Sequence, residues 1–224
     1  RQMCIRDSIT PGQVAHCVNE LGIGFMFALM HHSAMRHVSL ARRELGLRTL
    51  FNVLGPMANP AGLKCQLIGV YDRVLCRPVA EVLQRLGSEH VLVVHSEDGL
   101  DEISLAADTH VAELKNGAVN EYMLEPEQLG FKRESMQDLV VKDVDSSLQI
   151  IRSALAGEKD ARSQRAAHMI ALNAGAALYV AGVANSIHDG VITANDILVS
   201  GAGLEKLQQL ADMTQYANLQ SSDL

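Results

Sequence analysis

The sequence predicts an α/β fold in which a mixed β-sheet is flanked by helices, and three patterns carry that prediction. Residues 66–71 and 90–95 read as strands on either side of a helical stripe made by Leu75, Val79, Val82, Leu83 and Leu86. A strand–helix–strand unit makes parallel pairing through a right-handed crossover the default. Asn116-Gly117, set between two strand-like runs at 109–115 and 118–123, is the strongest short hairpin signal a chain can carry. From Ser146 onward the periodicity is helical, which adds a C-terminal helical layer.

The elements follow in order. Residues 1–8 show no periodicity and read as a tail or a non-native junction; residues 9–224 read as one α/β domain, incomplete at its N-terminal side. Thr10-Pro11-Gly12-Gln13 is a helix start, with a threonine cap, proline at the first helical position and glutamine three residues after the cap. Val14, Cys17, Val18 and Leu21 supply its apolar face and Gly22 its stop. Residues 23–28 look like a short strand, and 31–45 like a second helix closed by Gly46. Sharp backbone turns are expected at Gly55-Pro56 and Asn59-Pro60. The helix over 75–86 tolerates Pro78 because it falls in the first turn, and it ends at Gly87. Residues 90–95 form a near-continuous apolar run, as in a buried parallel strand. The C-terminal helices are expected at 146–156, 161–181, 193–200 and 204–216.

With 224 residues of which 48% are hydrophobic, the chain can bury a substantial core. Its net charge of −7 and isoelectric point near 5.7 argue against nucleic acid and membrane surfaces as partners, because both repel an acidic field. Cys4, Cys17, Cys65 and Cys76 show no close pairing, which suits a reducing compartment. The nine histidines form no metal-ligand spacing. Residues 1–8 have no apolar core for a signal peptide. The most apolar stretch, 169–184, is too short to span a bilayer and is interrupted by Asn173. A soluble, cytoplasmic protein is expected.

Two places could do chemistry. If 31–45 is one helix, His32, Met35 and Arg42 share a face. An imidazole, a soft apolar side chain and a two-pronged guanidinium suit an aromatic carboxylate. Read alone, Arg42-Arg43-Glu44 is equally a solvated helix end beside the negative pole of the dipole. The second place is Asp101-Glu102, a carboxylate pair in the loop after the 90–95 strand. Magnesium takes one or two carboxylates together with waters and substrate phosphates, and ligands gather at the carboxyl ends of strands in open α/β sheets. By itself the dipeptide is also an ordinary acidic turn. His95 is given no role, and Gly22-x-Gly24 is no dinucleotide fingerprint because the third glycine is missing.

Taken together, certain segments resemble the anthranilate phosphoribosyltransferase family. They are Gly22-Ile-Gly-Phe-Met-Phe-Ala28, His32-Ser-Ala-Met-Arg-His37, Arg42-Arg-Glu-Leu-Gly46, Thr49-Leu-Phe-Asn-Val-Leu-Gly-Pro56, Asn59-Pro60, Gln66-Leu-Ile-Gly-Val70, Val93-Val-His95 and Asp98-Gly-Leu-Asp-Glu-Ile103. They occur in the family's order, and the resemblance covers roughly Ile9 to the C-terminus. The resemblance implies a nucleoside phosphorylase/phosphoribosyltransferase-like fold with most of the small helical domain missing. It implies transfer of a phosphoribosyl group from phosphoribosyl pyrophosphate to the amine of anthranilate, in tryptophan biosynthesis, by a cytoplasmic homodimer. Arg42 would pair with the anthranilate carboxylate, while Ala28, His32, Met35, Gly55 and Pro56 line its path. Asp101 and Glu102 would hold Mg2+ at the pyrophosphate. No residue is assigned a catalytic role, because an aromatic amine is already a nucleophile at neutral pH. Leu29 and Ser33 depart from the family pattern at the rim of that path. The family's Gly-Thr-Gly-Gly-Asp and Lys-His-Gly-Asn segments are absent from these residues, so this polypeptide alone is expected to turn over little. The alternatives are a non-catalytic module for aromatic acids and anions, or a pyrimidine nucleoside phosphorylase-like relative.

Overall fold

The computed structural model describes residues 9–27, 31, 51–59 and 61–219. The chain divides into two compact units, one of Arg1–Gly55 with Ala202–Leu224 and one of Pro56–Gly201.

In the first unit, helix α1 (Pro11–Leu21) begins as its sequence dictates. Gln13 N–H donates to Thr10 Oγ1 at 3.3 Å, and Thr10 N–H donates to Gln13 Oε1 at 2.8 Å. Each side chain thereby satisfies a backbone donor that the first turn leaves free. Gly22 ends the helix at φ 76°, a left-handed conformation that glycine adopts without a Cβ penalty. Ile9, Val14 and Cys17 of this segment pack with Leu210 from the last helix, α7 (Ala202–Leu219), to form the unit's core. No strand forms over residues 23–27, contrary to the sequence reading. Ile23 and Phe25 are exposed there rather than paired in a sheet. The expected helix at 31–45 lies outside the described residues except for His31, which is helical.

The expected sharp turn at Gly55-Pro56 is a second correction. Both residues are inside helix α2 (Phe51–Met57). Proline ends a helix by clashing with the carbonyl four residues earlier, and here the helix stops one residue after Pro56. The reversal comes at Asn59, whose side chain accepts from Ala61 N–H at 3.0 Å and whose carbonyl accepts from Gly62 N–H at 3.2 Å.

The second unit is built on a four-stranded sheet in the order β1-β2-β3-β4. The strands are β1 (Cys65–Gly69), β2 (His90–Ser96), β3 (Thr109–Lys115) and β4 (Ala118–Leu124). β1 runs parallel to β2, joined through α3 (Cys76–Arg85), and the remaining pairs are antiparallel. The β3–β4 hairpin turns at Asn116 (φ 52°) and Gly117 (φ 74°), the two positive φ values that an Asn-Gly turn supplies.

Period-two alternation sends Leu92 and Val94 into the core beneath the long helix α5 (Ala161–Val180), with Met169, Leu172 and Ala176. α3 packs against β2 and β3 on the other face. α4 (Val144–Leu155) and α6 (Ile187–Val199) pack on α5. α6 starts six residues earlier than its periodicity suggests, because Ser186 caps it by accepting from Asp189 N–H.

Candidate active site

The loop between β2 and β3 carries the acidic pair, and its backbone is fixed residue by residue. Ser96 N–H donates to the Leu100 carbonyl at 2.9 Å, and Gly99 N–H to the Ser96 carbonyl at 2.9 Å. Gly99 has φ 92°, so the reversal needs glycine there. Asp98 ties the loop internally: its carboxylate accepts from Leu100 N–H at 3.2 Å and from Ser104 Oγ at 2.5 Å. Ser104 and Thr109 are fully buried, and Ser104 N–H donates to Thr109 Oγ1 at 3.2 Å. The hydroxyls and carboxylate thereby satisfy donors that burial would otherwise strand.

Asp101 sits directly on the last residue of β1. A Cβ placed on Gly69 would lie 1.6 Å from the Asp101 carbonyl oxygen, so only glycine lets the acidic loop close onto the strand end. On the other side of the pair, Ile103 is buried in the main core. The Asn173 side chain of α5 grips its backbone: Ile103 N–H donates to Asn173 Oδ1 at 2.9 Å, and Asn173 Nδ2 donates to the Ile103 carbonyl at 3.0 Å. Sequence reasoning treats Asn173 only as an interruption in an apolar stretch. The signal that could have found it is a lone amide in an Ala/Gly-rich buried helix, which must find partners there.

The Asp101 and Glu102 side chains reach solvent. Partial desolvation, and secondly the neighbouring Asp101 charge, push the Glu102 carboxyl above the usual carboxylate range. A divalent cation beside the pair would relieve the repulsion that the Asp101 charge exerts on the Glu102 carboxylate. Among the described residues no group of three or more His, Cys, Asp or Glu side chains is placed to hold a metal. A solvent-open pair of carboxylates fits an ion that takes one or two of them and completes its shell with water and phosphate oxygens, as magnesium does.

The remaining sequence-predicted residues fall elsewhere. Ala28, His32, Met35 and Arg42 lie outside the described residues. Gly55 and Pro56 are half-buried in α2. Pro56, with Met57, Leu63, Lys64, Leu83 and Leu86, lines a depression of about 190 Å³ beside the start of β1. Asp101 is at the other end of that strand, four residue steps or about 13 Å away along it. The structure thus does not bring Pro56 and the acidic pair together. His95, given no role from sequence, bonds through Nδ1 to the Val70 carbonyl at 2.8 Å and holds the exit of β1 against β2.

Comparison with known proteins agrees with this architecture. The model of the glycosyl transferase family, a/b domain, matches residues 4–204. The chain is 60% identical over 207 residues to an anthranilate phosphoribosyltransferase of Pseudomonas putida and 58% identical to one of Pseudomonas syringae pv. syringae. Each alignment takes in 92% of this chain and 59% of the relative, so the chain spans about three fifths of the length of these curated relatives. The crystal structure of anthranilate phosphoribosyltransferase from Thermus thermophilus superposes with a TM-score of 0.85 at 37% identity, covering 95% of this chain and 62% of that one. The Saccharomyces cerevisiae enzyme in complex with PRPP and Mg gives a TM-score of 0.83 at 24% identity, over 96% of this chain and 61% of that one, a likeness of fold. With the mixed sheet, its flanking helices and nine tenths of the residues matched, the chain belongs to the glycosyl transferase family, whose a/b domain it carries.

Proposed function

We propose that the chain is the larger part of an anthranilate phosphoribosyltransferase. The whole protein would transfer the phosphoribosyl group of phosphoribosyl pyrophosphate to the amine of anthranilate in tryptophan biosynthesis, giving N-(5-phosphoribosyl)anthranilate and pyrophosphate. The observation that carries this reading is the 60% identity, over 207 residues, to a Pseudomonas enzyme of that name.

In this reading Asp101 and Glu102 hold Mg2+, largely through water, at the pyrophosphate. Held there, Mg2+ would supply positive charge against the departing pyrophosphate. Arg42 pairs with the carboxylate of anthranilate, and Ala28, His32, Met35, Gly55 and Pro56 line its path. The amine nitrogen forms a bond to ribose C1 as the bond from C1 to the pyrophosphate oxygen breaks, with inversion at C1, and the amine then loses a proton. The free amine is already nucleophilic, so the protein's contribution is orientation and electrostatic support of the departing pyrophosphate. The protein would act as a homodimer in the cytoplasm.

Two variants test the assignment in catalytically competent protein, with the loss of anthranilate fluorescence as the readout. Asp101→Asn with Glu102→Gln should move the Mg2+ dependence of the rate to higher concentration, and superimposable Mg2+ titrations would remove the pair from the site. Arg42→Ala should raise KM for anthranilate by about tenfold or more, the scale of a lost charge-assisted hydrogen bond. An unchanged KM would leave Arg42 as a helix-end charge.

A further inference from the structure

The Asp101-Glu102 pair has no rigid element of its own, since both residues lie in a bend between β2 and β3. Its position is instead imposed from its two flanks. Upstream, the Leu100 carbonyl is held by Ser96 N–H at 2.9 Å, and the Asp101 backbone rests on Gly69. Downstream, Ser104 is tied to Asp98 and Thr109, and the residue next to the pair, Ile103, is held by a side chain from the middle of a helix seventy residues away in sequence.

We propose that Asn173 is a positioning residue for the metal-holding carboxylates, setting the reach of Asp101 and Glu102 by gripping the backbone of Ile103. The geometry singles out an amide. Ile103 presents a donor and an acceptor on its own backbone, and the Asn173 carboxamide meets both, at 2.9 and 3.0 Å. Its Nδ2 also donates to the Met169 carbonyl at 3.1 Å within α5. All three bonds require oxygen toward Ile103 N–H and nitrogen toward the two carbonyls, so the partners fix the orientation of the amide. A carboxylate there would face two carbonyl oxygens with no proton to give, and an aliphatic side chain would strand both Ile103 groups where water is scarce. Because Glu102 is covalently next to Ile103, a shift of this one backbone unit moves the carboxylate directly.

This inference rests on the assignment of Asp101 and Glu102 to the metal, and its test separates the two. In catalytically competent protein supplied with phosphoribosyl pyrophosphate, Mn2+ binding is followed by electron paramagnetic resonance alongside the Mg2+ dependence of the rate. Asn173→Ala should weaken Mn2+ binding and raise the Mg2+ concentration for half-maximal rate by about tenfold, the scale expected when an outer partner of a metal ligand is lost. KM for anthranilate should stay where it was. Wild-type Mn2+ affinity and Mg2+ profile, with only a lowered Tm, would overturn the proposal and leave Asn173 a packing residue. If Asp101→Asn with Glu102→Gln also leaves Mn2+ binding intact, the metal assignment itself falls, and the proposal with it. Asn173→Ser, a smaller polar change, replaces the alanine variant should that one fail to fold. Should both fail, the unmutated protein decides: Mg2+ should move the NMR signals of the Asn173 side-chain amide and the Ile103 backbone amide together, and a stationary Asn173 signal would overturn the proposal.

Discussion

Glu102 carries a stability cost that its surroundings impose. Desolvation and the Asp101 charge raise its folded-state pKa, so the folded state holds the proton more tightly than the unfolded chain does. Ionising Glu102 therefore costs the fold stability above the ordinary carboxylate range, and this cost vanishes once pH falls low enough to protonate the group in both states. Glu102→Gln should accordingly raise Tm at pH 7 and leave it unchanged near pH 3. Calorimetry at the two pH values checks this, and an equal shift at both would show that the ionised carboxylate is not the cause. The pair itself is legible in the sequence because its neighbours are local: a strand before it and Gly99 within the turn. Asn173 is not legible, because its partner is the Ile103 backbone, and a backbone group leaves no mark in a side-chain pattern.

At the scale of elements, α5 and α6 cross where both helices carry glycine. A Cβ on Gly190 would come within 2.2 Å of the Gly175 carbonyl oxygen, and one on Gly175 within 2.5 Å of the Val191 backbone nitrogen. The obstructing atoms are backbone, so neither helix can yield by turning a side chain. Gly190→Ala gains about 1 kcal/mol of helix propensity but meets an overpacking penalty of about 3 kcal/mol. The net expectation is a loss of about 2 kcal/mol, read as a lower denaturation midpoint in urea with an unchanged slope. A variant as stable as the parent would show that the helices separate freely.

Gly190 also explains why the sequence pattern starts α6 at 193, since a glycine in a helical pattern looks like punctuation until its packing partner is known. The capping box of α1 and the Asn-Gly hairpin need no such knowledge. Their signals act within a few residues, and both form as the sequence predicts. Gly55-Pro56 misleads because a proline near the last turn of a short helix carries the same dipeptide signal as a turn.

For the molecule as a whole, each compact unit contains a buried thiol: Cys17 in the core of the first and Cys76 in the second. Burial raises the Cys17 thiol, and desolvation followed by the Glu121 charge pushes Cys76 up to about 11, so both are poor nucleophiles at neutral pH. Removing residues 202–224 takes Leu210 from Cys17 but leaves the second unit with its own core. In that shortened chain Cys17 should react with a thiol reagent about as fast as exposed Cys65 while Cys76 stays protected. Mass spectrometry of the labelled peptides distinguishes the sites, and labelling of Cys76 at the same rate would mean that the units do not keep separate cores. The division is invisible in the sequence because composition does not change at residues 55 or 201, and only the pairing of distant segments reveals it.

That pairing has a consequence on the ribosome. Val14 and Leu210 share one core although 196 positions separate them (210 − 14). At about 10 residues per second of synthesis, α1 emerges about 20 s before the helix that covers it. The second unit, whose segments are contiguous, is complete before that helix has been made. During translation Ile9, Val14 and Cys17 are therefore an apolar surface that waits for its partner until the last helix has been made, and a surface that a nascent-chain chaperone can cover in the interval.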